Sequence, residues 1–108
     1  MKRGDVVTVA PAGDYGKPRP AVVIQSDALM ETDSALVCLI TSLPVEARVF
    51  RLPVPESPQT GLRRPSCVMA DKIIATRRDK FGKVIGRLDE ATMLALGAML
   101  AFVVGVAD

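Results

Sequence analysis

The sequence predicts a mainly β domain with some α: a small curled barrel of short, mostly antiparallel strands, followed by one C-terminal helix. Short runs of β-branched and other apolar residues recur between clusters of Pro, Gly, Asp and Ser, which is how strands are spaced in a small barrel. A stretch without any charge, residues 91–107, follows Asp89 and reads as a capped helix. At 108 residues the chain has room for a single core, so residues 1–108 are expected to form one domain.

The elements follow in order. Residues 6–10, Val-Val-Thr-Val-Ala, are a first strand, and the turn chemistry of residues 11–16 makes a surface loop after it. That loop closes at Pro18. Residues 21–25 and 35–40 are near-continuous apolar runs and read as strands buried on both faces, joined through a polar segment that could hold a short helical turn. Residues 49–54 alternate but contain Pro53, which confines them to a sheet edge or a strand end. After a connector rich in Pro and Gly, residues 66–74 form the next strand. A charged turn over residues 77–80, with Gly82, hands on to residues 84–88. Asp89 then caps a helix from about residue 90 to about residue 104, with Leu88 and Met93 as a hydrophobic staple and Gly105 as its stop.

A membrane span needs about 17–25 apolar residues, but the cap, the staple, Gly97 and the lack of a basic cluster beyond the helix fit a packed helix instead. A helix that is apolar on every side has to bury against more than its own sheet. A homodimer is therefore expected, and no membrane association.

Charge excludes less than it suggests. With 14 basic and 12 acidic residues, the net charge of +2 is too small to argue for nucleic acid unless the cations are clustered. Arg63, Arg64, Arg77, Arg78, Lys80, Lys83 and Arg87 crowd the second half of the chain, either as solvated turns or as a phosphate-tracking groove. The only aromatics are Tyr15, Phe50, Phe81 and Phe102, too few for the stacking platforms of many single-strand binders. The chain has no histidine, which removes Ser–His and Cys–His catalysis. Cys38 and Cys67 are too few and too far apart for a zinc site and read as reduced core residues, so neither metal nor cofactor is expected. No secretory signal opens the chain, which points to the cytoplasm.

The strongest local signal is Arg19, set in Lys17-Pro18-Arg19-Pro20 just before Ala-Val-Val-Ile. An arginine between two prolines has a stiffened backbone and reaches a strand mouth with a fixed heading, which suits the binding of a phosphate. Thr41 and Ser42 end the strand of residues 35–40 and offer hydroxyls at another strand end. An RNA strand can be cut without metal when its own 2′-OH attacks the adjacent phosphate, leaving a 2′,3′-cyclic phosphate and a 5′-OH. Arginine and threonine can stabilise the charge that develops on the phosphoryl oxygens.

These pieces, together with Arg3-Gly4-Asp5-Val6-Val7, Gly61-Leu62-Arg63-Arg64-Pro65-Ser66 and Ile85-Gly86-Arg87-Leu88-Asp89, occur in an order that resembles the MazF/PemK family of toxin endoribonucleases over almost the whole chain. The resemblance implies an SH3-like, CcdB/PemK-like curled barrel and a toxin that cuts single-stranded mRNA sequence-selectively. It also implies a cognate antitoxin whose acidic C-terminal tail competes with RNA. The family's catalytic arginine falls on Arg19 and its threonine on Thr41. Where the family often has a glutamate five positions before the arginine, this chain has Asp14, a candidate base or base-reading group that reads equally as a turn residue. Asp71 matches a family aspartate, either as an RNA contact or only as an ion-pair partner. Lys17, Ser42 and Lys72 complete the candidate substrate-binding set. In the PemK/Kid branch an arginine two places before that aspartate and a loop histidine take part; here Met69 stands in the first place and the histidine is missing. CcdB-type toxins share the fold and poison DNA gyrase by binding, using a tryptophan near the C-terminus. This chain has no tryptophan, which makes that reading the alternative. An adaptor for proline-rich peptides would need an aromatic groove that the composition does not supply.

Overall fold

The computed structural model describes residues 1–10, 17–42 and 50–107. Six strands form one antiparallel sheet: β1 (Asp5–Val9), β2 (Arg19–Val23), β3 (Ser34–Thr41), β4 (Arg51–Val54), β5 (Ser66–Arg77) and β6 (Phe81–Arg87), in the spatial order β4-β5-β3-β2-β1-β6. The helix α1 (Glu90–Val103) follows. β4 lies at an edge, where a proline costs the sheet no ladder bond, as Pro53 requires. β2 begins two residues earlier than the apolar run suggested, because Arg19 and Pro20 already pair with Val9 and Thr8 of β1. β5 extends through Arg77, and the turn is the single 3₁₀ turn Arg78–Lys80. Gly82 is therefore a residue of β6 rather than of the turn: it gives room to the Thr8 hydroxyl, which accepts from the Lys83 N–H at 3.0 Å. Between β2 and β3 the chain makes bends and hydrogen-bonded turns with no helix.

The central strands are buried on both faces, as their continuous apolar runs demand. One face carries Val6, Val22, Cys38, Ile40 and Val68 with Leu62, Leu88 and Leu96; the other carries Val7, Val9, Ala21, Val23 and Val37, backed by Leu39, Ile74 and Phe81. Cys38 is fully buried, and that burial, followed by the nearby Asp71 carboxylate, pushes its thiol pKa up to about 12, so it is an inert core residue. Cys67 is partly buried, and both are free thiols. Register shifts between Val6 and Val7, between Val7 and Val9, and between Cys38 and Ile40 curl the sheet, since an extra residue in one strand increases the local twist.

The curl is closed by a connector rather than by a strand pair. The Arg87 N–H donates to the Gln59 carbonyl at 2.9 Å, which ties the segment after β4 to β6. Gly61, at φ +72°, lies so close to β6 that a Cβ there would overlap the Ile85 carbonyl, and a Cβ on Gly86 would overlap the backbone of Gln59 and Thr60. Two glycines facing each other let two backbones touch.

The Asp89 carboxylate accepts from the Thr92 N–H at 2.8 Å and caps α1 as expected. Leu96 anchors the helix in the core, while Leu94 and Phe102 stay exposed. Hydrogen bonds from the Thr92 hydroxyl and then its N–H hold the Asp89 carboxyl below its ordinary 3.8. A carboxyl lowered by folding adds stability above its unfolded value and loses it as pH falls through the folded value. Asp89→Asn keeps an acceptor but has nothing to titrate. Chemical denaturation across about pH 2–5 is thus expected to show a shallower acid limb for the variant than for the wild type; equal limbs would contradict a titrating cap.

Candidate functional site

β2 and β3 are antiparallel, with Ala21 opposite Leu39, Val22 opposite Cys38 and Val23 opposite Val37. Carried two residues outward, the same register sets Arg19, the first residue of β2, across from Thr41, the last of β3. β5 starts at that end too, since Thr41 pairs with Cys67. The start of one strand, the end of its neighbour and the start of the next therefore converge.

The convergence lines an open groove of about 410 Å³. Arg19, Thr41 and Ser42 line it, as do Arg63, Arg64 and Ser66, over an apolar floor of Pro20, Ile40 and Leu62. Among the described residues that line it, three are arginines, three carry hydroxyls and none is acidic. Such a surface attracts an anion with oxygen acceptors, and guanidinium forks suit a phosphate or a carboxylate. Arg19 is exposed and Thr41 half-buried, so both are open to a ligand from solvent. Ser66 is buried, and its hydroxyl donates to the Arg64 carbonyl at 2.8 Å, which makes it a brace for the arginine loop.

The other sequence candidates lie elsewhere. Asp14 falls outside the described residues. Lys17 is exposed two residues before Arg19 and does not line the groove. Asp71 and Lys72 sit on β5 away from it. The described partner of Asp71 is Arg51: Nη2 donates to Oδ2 at 3.4 Å, and Nε lies 3.2 Å from Oδ1 without hydrogen-bond alignment. The Arg51 guanidinium also lies 5.5 Å from the Phe50 ring centre. Of the basic cluster, the groove takes only Arg63 and Arg64. In the sequence they stand out only through the run Gly61-Leu62-Arg63-Arg64-Pro65-Ser66, part of the family resemblance, and nothing in that run tells which of its side chains reach the groove.

Arg51 and Asp71 are partly shielded from solvent, with side chains 17% and 31% exposed, so their pairing should couple by roughly 0.2–1 kcal/mol. A double-mutant cycle on unfolding free energy with Arg51→Gln and Asp71→Asn checks this. Zero coupling would remove the ion-pair role of Asp71.

The chain is similar to known proteins along nearly its whole length. Residues 2–104 match the family described as PemK-like, MazF-like toxin of type II toxin–antitoxin system. The chain is 36% identical over 108 residues to a probable endoribonuclease MazF of Mycolicibacterium smegmatis, covering 99% of each. Among solved structures it resembles a mycobacterial endoribonuclease in complex with its cognate antitoxin, with a TM-score of 0.83 at 20% identity over 98% of this chain and 96% of that one. It also resembles the Mycobacterium tuberculosis toxin MazF-mt6, with a TM-score of 0.80 at 20% identity over 94% and 96%. A MazE–MazF complex of Deinococcus radiodurans gives a TM-score of 0.77 at 18% identity over 97% and 95%.

Proposed function

The chain belongs to the PemK-like, MazF-like family of type II toxin–antitoxin toxins and is an endoribonuclease, and we propose that the groove of Arg19 and Thr41 is where it cuts RNA. The observation that carries this reading is the three-arginine, hydroxyl-lined groove with no carboxylate among its described residues, built where β2 begins and β3 ends.

The reaction proposed is metal-independent cleavage of single-stranded mRNA at selected sequences. The 2′-OH oxygen bonds to the adjacent phosphorus, the P–O5′ bond breaks, and the products are a 2′,3′-cyclic phosphate and a 5′-OH. A base removes the 2′-OH proton and an acid returns one to O5′. The Arg19 fork binds two non-bridging oxygens and neutralises the charge that grows on them, and it can also pass a proton to the leaving oxygen. The Thr41 hydroxyl donates to a phosphate oxygen. Asp14, five positions before Arg19, is the nearest carboxylate in sequence and is assigned as the base. Ser42 adds a donor at the rim, while Lys17, Asp71 and Lys72 are assigned to parts of the strand beyond the groove.

As a toxin of a toxin–antitoxin pair, the protein is held in check by an antitoxin. An acidic antitoxin tail fits the same groove, because the arginines that attract phosphate also attract carboxylates. We place its action in the cytoplasm, where mRNA is translated. Among the described residues no helix is long and apolar enough to cross a membrane. Residues 1–108 act as one toxin domain in this reading. The exposed Leu94 and Phe102 on α1, with Val104 and Val106 just after it, support a homodimer. Sedimentation equilibrium should give twice the chain mass of 11.5 kDa, and a monomer at micromolar concentration would overturn the homodimer.

The activity is tested by incubating the protein with long single-stranded RNA in EDTA and mapping the new 5′ ends, beside Arg19→Ala. Discrete 5′-OH ends are expected, with kcat falling about 10²–10³-fold in the variant, as on loss of one charge-stabilising donor. A folded variant that cuts at the wild-type rate would sink the role of Arg19. Intact RNA with the wild type across varied sequences would favour gyrase poisoning by binding.

A further inference from the structure

We propose that Arg63 and Arg64 are substrate-positioning residues that hold the RNA phosphates next to the one at which Arg19 and Thr41 act. This rests on the endoribonuclease reading and gives its groove a second, non-chemical part.

The other cations of the second half of the chain are engaged or placed elsewhere. Arg77 pairs with Asp79 at 2.8 Å, and Arg78 donates to the carbonyls of Thr32 and Leu29, pinning the loop between β2 and β3. Arg87 lies 3.8 Å from the Asp5 carboxylate, Lys72 sits on β5 outside the groove, and Lys80 and Lys83 sit on the hairpin of β5 and β6, also away from it. Arg63 and Arg64 differ from all of these. Both are exposed, neither has an ion-pair partner among the described residues, and both share the groove with Arg19.

Their backbone is also held in place. Gly61 before them touches β6 and donates its N–H to Ser57 at 3.0 Å, and Leu62 is buried in the core. Behind them the Ser66 hydroxyl holds the Arg64 carbonyl and Ser66 opens β5. Two exposed arginines between two buried anchors have less freedom to lose when a polyanion binds. Phosphate contacts of this kind fix a strand's register and carry no sequence information. The pair is therefore expected to set affinity and placement for every RNA alike, leaving selectivity and bond cleavage to other groups.

The test compares wild type with the Arg63→Gln/Arg64→Gln double variant, both checked by thermal unfolding. The probe is a single-stranded 2′-O-methyl RNA of mixed sequence, which lacks the attacking hydroxyl, and its binding is followed by fluorescence anisotropy across a NaCl series. Loss of two phosphate contacts should flatten the slope of log K against log [NaCl] by about 1.4, at roughly 0.7 per contact on a single strand. In cleavage assays the variant should raise KM about tenfold while kcat stays within about twofold. Arg63→Lys/Arg64→Lys should restore the slope, because lysine also neutralises a phosphate. An unchanged slope in the folded double variant, a fall in kcat without a rise in KM, or no salt-dependent binding by the wild type would each overturn the proposal. Arg19-dependent cutting alongside an unchanged slope would overturn it alone, whereas a wild type that cuts nothing would count against the endoribonuclease reading itself.

Discussion

The register of β2 against β3 is the constraint on which the rest of the site depends. Antiparallel pairing forces the beginning of one strand to lie beside the end of the other, and backbone hydrogen bonds set the offset to the residue. A slip by one residue would reverse the faces of every side chain in β2, taking Val22 out of one core and Ala21 and Val23 out of the other. Both faces of these strands are buried, so the cores themselves guard the register. Arg19 and Thr41 are thus positioned by the packing of buried valines.

The second support comes from the opposite side of the curl. A short sheet with bulges leaves its two edges apart, and here the segment from Gln59 to Leu62 crosses between them. That crossing is possible because Gly61 and Gly86 bring no side chains to the contact. Closing the barrel and delivering Arg63 and Arg64 to the groove are consequently one structural act. In the proposed reading the same few residues serve stability and function, and a defect in either glycine would disturb both.

Charge follows a similar division. A net charge of +2 says little, and cations crowded in the second half of the chain say only that something basic is there. Folding sorts them by neighbour: Arg77 meets a carboxylate, Arg78 meets carbonyls, Arg87 lies near Asp5, and the two arginines of the connector face the groove. The lack of an acidic residue among the described lining of that groove matters as much as the presence of arginines. Arg63 and Arg64 have no carboxylate partner among the described residues, so they keep their attraction for phosphate.

By itself the sequence determined what depends on near neighbours: the fold class, buried strands at residues 21–25 and 35–40 to within two residues, Pro53 at an edge, and the cap at Asp89. These rest on local sterics, on apolar runs and on side chains that bond their own backbone, all of which can be read from adjacent positions. The motif around Arg19 and the end of the third strand were legible for the same reason. Only the tertiary structure decided that Arg63, Arg64 and Ser66 join them, that Asp71 turns to Arg51, and that Gly82 belongs to a strand because of Thr8. Each of those outcomes is a contact between residues far apart in the chain. Such contacts are settled by which surfaces the folded sheet brings together, a choice that no single stretch of sequence contains.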